Sequence, residues 1–113
     1  MNKYITHEGI GAVVVTCSVE EEIKEPTLIK MVDDYTVAPC QPGEKFCGMA
    51  LKSRNGLAPV QFKGFVRVNY SVGMQMGWNN VLTDEYGGIT PNEAGMPVLV
   101  VAKHDNSTVT ICL

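Results

Sequence analysis

No stretch of this chain comes near the ~20 consecutive apolar residues that a bilayer-spanning helix needs; the longest apolar runs are residues 12–15 and 97–102. An excess of positive charge is also missing: 9 basic residues stand against 12 acidic ones, a net charge of −3. That balance removes the electrostatic footprint on which phosphate-driven nucleic-acid binding rests. Room for helices is scarce, because 11 glycines and 6 prolines in 113 residues place a chain breaker about every 7 residues. Residues 1–9 (MNKYITHEG) hold no apolar core behind a basic flank, so the sequence predicts no signal peptide and a cytoplasmic chain. The four cysteines are then expected to be reduced thiols. What the chain does hold is 45% hydrophobic residues, enough for one packed domain of this length and too many for disorder.

The arrangement of those residues points to short strands. Residues 11–17 (GAVVVTC) are β-branched and bounded by glycine and charge, as a buried strand would be. In residues 18–25 (SVEEEIKE), Ser18 and Glu21 fit a capping box for one helical turn that Pro26 would stop, and a charged loop fits equally well. Residues 27–32 and 35–38 form two apolar runs about Asp33-Asp34, a turn-favouring pair. Residues 46–52 and 56–62 flank Asn55-Gly56, the strongest hairpin signal in the chain. Pro59 cannot donate to a ladder, which assigns its strand to an edge, to first residues or to a bulge. In residues 65–70 (FVRVNY), Phe65, Arg67 and Asn69 alternate with Val66, Val68 and Tyr70, a clean two-residue period. Residues 71–96 carry five glycines and the single Trp with little apolar pattern, and read as a long glycine-rich loop with at most two very short strands. Residues 97–103 and 108–113 close the chain as a hairpin, with Val109, Ile111 and Leu113 on one face.

Groups that could do chemistry do not converge along the sequence. Glu20, Glu21, Glu22 and Glu25 are adjacent and splay apart as a solvated face. Cys40 and Cys47 are separated by six residues with no histidine nearby, which is not the spacing of a zinc site. Asp84 and Glu85 lack the spacing of a calcium loop and suit a turn. Cys17, Cys47 and Cys112 lie in apolar runs and read as small buried hydrophobes. No glycine spacing matches a phosphate-binding loop. These readings lead to no catalytic residue, no metal and no cofactor. Met74, Met76 and Trp78 stand out instead, as large apolar groups in the expected loop, because Trp and Met are enriched at the centres of protein interfaces. Tyr4 and Ile5 could anchor a flexible N-terminal arm over residues 1–10, hinged at Gly9 and Gly11.

From about Pro42 to Leu113 the chain resembles a family of small phage- and prophage-encoded proteins, some carrying a dubious recombinase label, that are similar to head-decoration proteins. The landmarks are Pro42-Gly43-Glu44 leading into residues 46–50 (FCGMA), residues 60–66 (VQFKGFV), residues 77–83 (GWNNVLT), Gly87-Gly88, Gly95, and a closing strand pair split by Asp105. Residues 63–67 (KGFVR) echo a turn of the lambdoid decoration proteins. Residues 1–40 depart from the pattern, with residues 20–25 atypical. The resemblance implies a β-barrel or β-tulip that binds assembled capsid and oligomerises, often as a trimer, without catalysis.

The sequence thus predicts a single all-β domain over residues 1–113, a small β-barrel or β-tulip of short, mostly antiparallel strands with at most one helical turn. The resemblance adds a structural phage or prophage protein, cytoplasmic in the bacterial host and virion-associated, whose partners are further copies of itself and the major capsid protein. The expected interface residues are Tyr4, Ile5, Met74, Met76 and Trp78. The alternative is a barrel that binds a small ligand or nucleic acid through the face of Phe65, Arg67 and Asn69, a role that the net negative charge disfavours.

Overall fold

The computed structural model describes residues 12–71, 73–104 and 107–113. Within them lie ten strands: β1 (Val13–Val19), β2 (Thr27–Asp33), β3 (Thr36–Pro39), β4 (Gly48–Ala50), β5 (Leu57–Lys63), β6 (Phe65–Asn69), β7 (Gly77–Thr83), β8 (Ile89–Pro91), β9 (Met96–Lys103) and β10 (Thr108–Cys112). The fold is all-β, with no helix among the described residues. None is therefore long and apolar enough to cross a membrane.

Strands β1 to β5 close into a barrel in the order β1-β3-β2-β4-β5, and β6 to β10 form a five-stranded sheet in the order β6-β10-β9-β7-β8. Neighbouring strands run antiparallel except β1 and β3, which pair in parallel at Ser18 with Thr36 and Val19 with Val37. The second sheet also curls towards closure. Just past β6, Tyr70 bridges Ile89 at the start of β8, and the Ser71 amide donates to the Ile89 carbonyl at 3.1 Å. Gly88 makes this approach: a Cβ there would lie 2.4 Å from the Asn69 carbonyl oxygen, so a side chain would hold the two strands apart.

Each half has its own core. Cys17, Ile23, Ile29, Val37, Ala50, Ala58 and Val60 fill the barrel. Val66, Val68, Val81, Ile89, Val98, Val100, Val109 and Ile111 line the inner face of the second sheet, closed over by Leu28 and Phe46 from the barrel half and by Met74. Strand β2 serves both cores: the two-residue period sends Ile29 into the barrel and Leu28 onto the sheet. A polar seam joins the halves. Backbone bonds run from the Gly43 amide to the Thr83 carbonyl (2.8 Å) and from the Thr83 amide to the Glu44 carbonyl (3.1 Å). The Thr83 hydroxyl, 3% exposed, lies 2.7 Å from the Gln41 carbonyl and 3.0 Å from the Glu44 carbonyl. The Lys30 ammonium holds both oxygens of the Glu44 carboxylate at 2.9 Å, fixing the loop that carries this seam.

Several expectations hold, and others change for definite reasons. The 27–32/35–38 pair is the β2–β3 hairpin, and Asn55-Gly56 takes positive φ at both residues (55° and 78°) within the Arg54–Leu57 bridge, as a two-residue primed turn requires. β6 shows the full alternation, with Val66 and Val68 buried, and the terminal hairpin buries Val109 and Ile111. Residues 18–25 form no helical turn: Ser18 and Val19 extend β1, and Ile23 turns inward to plug one end of the barrel. Its amide donates to the Ser53 hydroxyl at 2.8 Å, and its carbonyl accepts from the Ser53 amide. The strand expected over 46–52 shrinks to Gly48–Ala50. That shortening lets Pro59 occupy an internal strand. Its carbonyl accepts from the Leu51 amide at 2.9 Å, so its nitrogen faces the same neighbour one residue past the end of β4, and the reciprocal bond that proline cannot donate falls outside that strand. The expected 71–96 loop instead contains β7 and β8, and β7 pairs with both β9 and β8.

Candidate interaction face

The side chains of the second sheet that do not enter its core point outward, and the register aligns them. Phe65 pairs with Cys112, Cys112 with Leu99, and Leu99 with Trp78. One row of apolar side chains therefore crosses four strands, β6 to β7. Its ends are open: Trp78 is 71% exposed and Phe65 40%. Val101, next to a register shift in β9, adds a further exposed apolar group. The adjoining row is Arg67, Thr110 and Ala102. Among the outward positions of these strands Arg67 is the only charged residue, in a chain with 9 basic and 12 acidic ones. Its guanidinium donates to the Thr108 hydroxyl from Nε (3.2 Å) and Nη2 (3.1 Å), which lays it along the sheet. Depletion of charge around an aromatic and an arginine is the composition of an interface centre rather than of a solvated surface.

Of the residues singled out from sequence, Met76, just before β7, is 58% exposed, and Trp78, within β7, is exposed as well. Met74 is not with them: at 4% exposure it belongs to the second core, and the Lys103 ammonium closes over its carbonyl at 3.1 Å. Tyr4, Ile5 and the arm over 1–10 lie outside the described residues. Phe65, Arg67 and Asn69 share the outer face as the alternation predicts, and Phe65 belongs to the same row as Trp78. Sequence reading missed Cys112 and Leu99, which connect them, because only the pairing of β9 with β10 and β7 brings these residues into line.

A second opening lies at the end of the barrel that Ile23 does not plug. Val15, Cys17, Met31 and Phe62 line a cleft of about 290 Å³, and Asp33, Asp34 and Tyr35 of the β2–β3 turn form its rim. Met31 (46%) and Tyr35 (71%) are exposed there. Tyr35 has a φ of 47°, a left-handed conformation that a bulky residue seldom takes.

The titratable groups are arranged for structure. Burial pushes the Cys40 thiol up to about 11, with the Glu44 charge adding to it. Burial also raises Cys17, and partial desolvation by its neighbours raises the Cys47 thiol although the residue as a whole is exposed, so all three thiols are held neutral and poorly nucleophilic at pH 7. Cys47 is exposed and Cys112 half-buried, not enclosed as their apolar neighbours suggested. Bonds from Lys30 and the Gln41 amide hold Glu44 below the usual carboxylate range. Burial works to raise Asp84, but bonds from the Ser71 hydroxyl and the Gly88 and Tyr86 amides outweigh it and hold that carboxyl low. Among the described residues, no three His, Cys, Asp or Glu side chains gather as a metal site. No protein-family model matches the chain, and neither does any curated protein.

Proposed function

We propose that this chain is a non-catalytic structural protein of phage or prophage origin, a capsid-decoration protein that binds assembled capsid and associates with its own copies through the outer face of its second sheet. The observation that supports this reading is the row Phe65–Cys112–Leu99–Trp78 on a face with one charge. A tryptophan left 71% exposed on a paired strand adds little to the core, whereas burying an aromatic of ~150–250 Å² against a partner is a main source of binding energy. The scaffold suits such a role. One sheet is a closed barrel and the other is bridged from β6 to β8, so few strand edges are left for uncontrolled pairing and association is directed to faces. The family resemblance supplies the partners: further copies of the chain, with a trimer favoured, and assembled major capsid protein.

The test is light scattering of the purified protein, followed by co-sedimentation with capsids assembled from the major capsid protein encoded nearest its gene. The expected result is an oligomer that co-sediments saturably. Trp78→Ala should weaken it by roughly 30-fold, the equivalent of about 2 kcal/mol for an interface anchor. A strict monomer that ignores capsids and binds oligonucleotides with steep salt dependence would overturn the reading in favour of a nucleic-acid module on the Phe65, Arg67 and Asn69 face.

A further inference from the structure

The open end of the barrel has the chemistry that the outer sheet face lacks. Its walls are apolar, Met31 and Phe62 among them, and its rim carries Asp33 and Asp34. The sheet face offers exposed Phe65 and Trp78 and a single cation, Arg67. At about 290 Å³ the cleft falls just below the ~300–1,000 Å³ of small-molecule sites and suits one large side chain. Among the described residues its only charges are two exposed carboxylates, which call for a cation carried beside an apolar group. Both halves of that description are met on the same molecule.

We infer that a second copy of this chain occupies the open barrel end, seating Phe65 of its outer row among Met31, Tyr35 and Phe62 and placing Arg67, two residues along the same strand, against the Asp33–Asp34 rim. This rests on the reading of the chain as a homo-oligomer and specifies its contact: two different patches meet, sheet face to barrel end. The apolar row supplies area, and the Arg67–carboxylate pair fixes register and excludes other docking modes. Arginine suits the task because its planar fork can hold a carboxylate with two parallel bonds while its stem lies along apolar surface. Each patch alone is unsuited to pairing with its own copy, since neither contains both signs of charge.

The test is a charge exchange read by sedimentation velocity. Arg67→Asp and Asp34→Lys are separate exposed-site variants, and the Asp33 carboxylate keeps its bond to the residue-34 amide in both. Each variant alone should associate at least tenfold more weakly than the wild type, because like charges then face one another. The double variant Arg67→Asp/Asp34→Lys should recover association to within about threefold of wild type, since the aspartate at 67 then meets the lysine at 34 in every contact. Thermal melts within about 2 °C of wild type confirm that folding is unchanged, and Asp34→Asn, which removes charge without reversing it, should lie between. A wild-type oligomer indifferent to both reversals, or a double variant that stays dissociated, overturns this contact and leaves homo-oligomerisation standing. A wild type that is monomeric at every concentration overturns both.

Discussion

The joint between the two halves of the molecule depends on one buried hydroxyl, and Thr83→Val isolates it. Valine keeps the shape and the β-branching of threonine and removes only its hydrogen bonding. In the native seam the Thr83 oxygen accepts from the Glu44 amide at 3.2 Å and faces the Gln41 and Glu44 carbonyls at 2.7 and 3.0 Å. A hydroxyl has one proton, so it donates to one of these carbonyls at a time, and the shorter Gln41 bond dominates. The substitution therefore removes one accepted and one donated bond at a site only 3% exposed. A buried polar group deprived of its partner costs about 1–3 kcal/mol. The Glu44 amide retains a second acceptor in the Gln41 carbonyl at 3.2 Å, which keeps the total near 2 kcal/mol. For a chain of this size each 1 kcal/mol lowers Tm by roughly 3–5 °C, so Tm should fall by about 6–10 °C in circular dichroism melts, with urea titrations giving an unchanged m. Thr83→Ser restores the hydroxyl and sacrifices a methyl, at about 1 kcal/mol. A valine variant within 0.5 kcal/mol of wild type, or a serine variant less stable than the valine one, would refute the assignment and make Thr83 a packing residue.

Two further outcomes follow from the same geometry. Gly88→Ala puts a Cβ 2.4 Å from the Asn69 carbonyl; as backbone must move, it should cost more than about 2 kcal/mol and speed hydrogen exchange at the Ser71 amide, which bonds across that closure, and unchanged exchange there would contradict the bridged sheet. Glu44 and Asp84 both have folded-state pKa values below their ordinary ones, so their stabilisation is present above the ordinary carboxylate range and is lost as pH falls through the lowered values. Stability should hold at pH 5 and decline below about pH 4. Glu44→Gln and Asp84→Asn should each flatten that decline in acid titrations followed by circular dichroism, and parallel acid transitions in all three proteins would show that neither carboxylate contributes.

What could be read from the sequence follows from where each signal is stored. Turns and half-buried strands are local: Asn55-Gly56 dictates positive φ at both residues, and the alternation through residues 65–69 matches β6 side chain by side chain. β7 escaped because its inward positions are not apolar throughout. Asn79 points inward and its amide donates to the Gln75 and Gly77 carbonyls, and Thr83 points inward to meet residues 41–44. The residues that justify those polar side chains stand about forty positions away in the case of Thr83, where no local pattern reaches. Pro59 misled for a related reason: its missing N–H falls opposite Leu51, one residue past β4, and the end of β4 at Ala50 is a property of the pairing.

The same distinction locates the candidate interface. Trp78 could be singled out from sequence as a large apolar group in a segment read as a loop, and its exposure comes from the strand it occupies. As part of β7 it acquires neighbours at fixed spacing, because adjacent strands lie ~4.8 Å apart and Leu99, Cys112 and Phe65 follow it across the sheet. A tryptophan on a loop can fold back and bury itself when no partner is present. Held on a paired strand, with its alternate residues Asn79 and Val81 directed inward, it is kept in solvent and pre-organised for contact, so little conformational entropy remains to be lost on docking. Met74 shows the contrast within the same segment: four residues earlier and outside the strand, it folds into the core and leaves the surface.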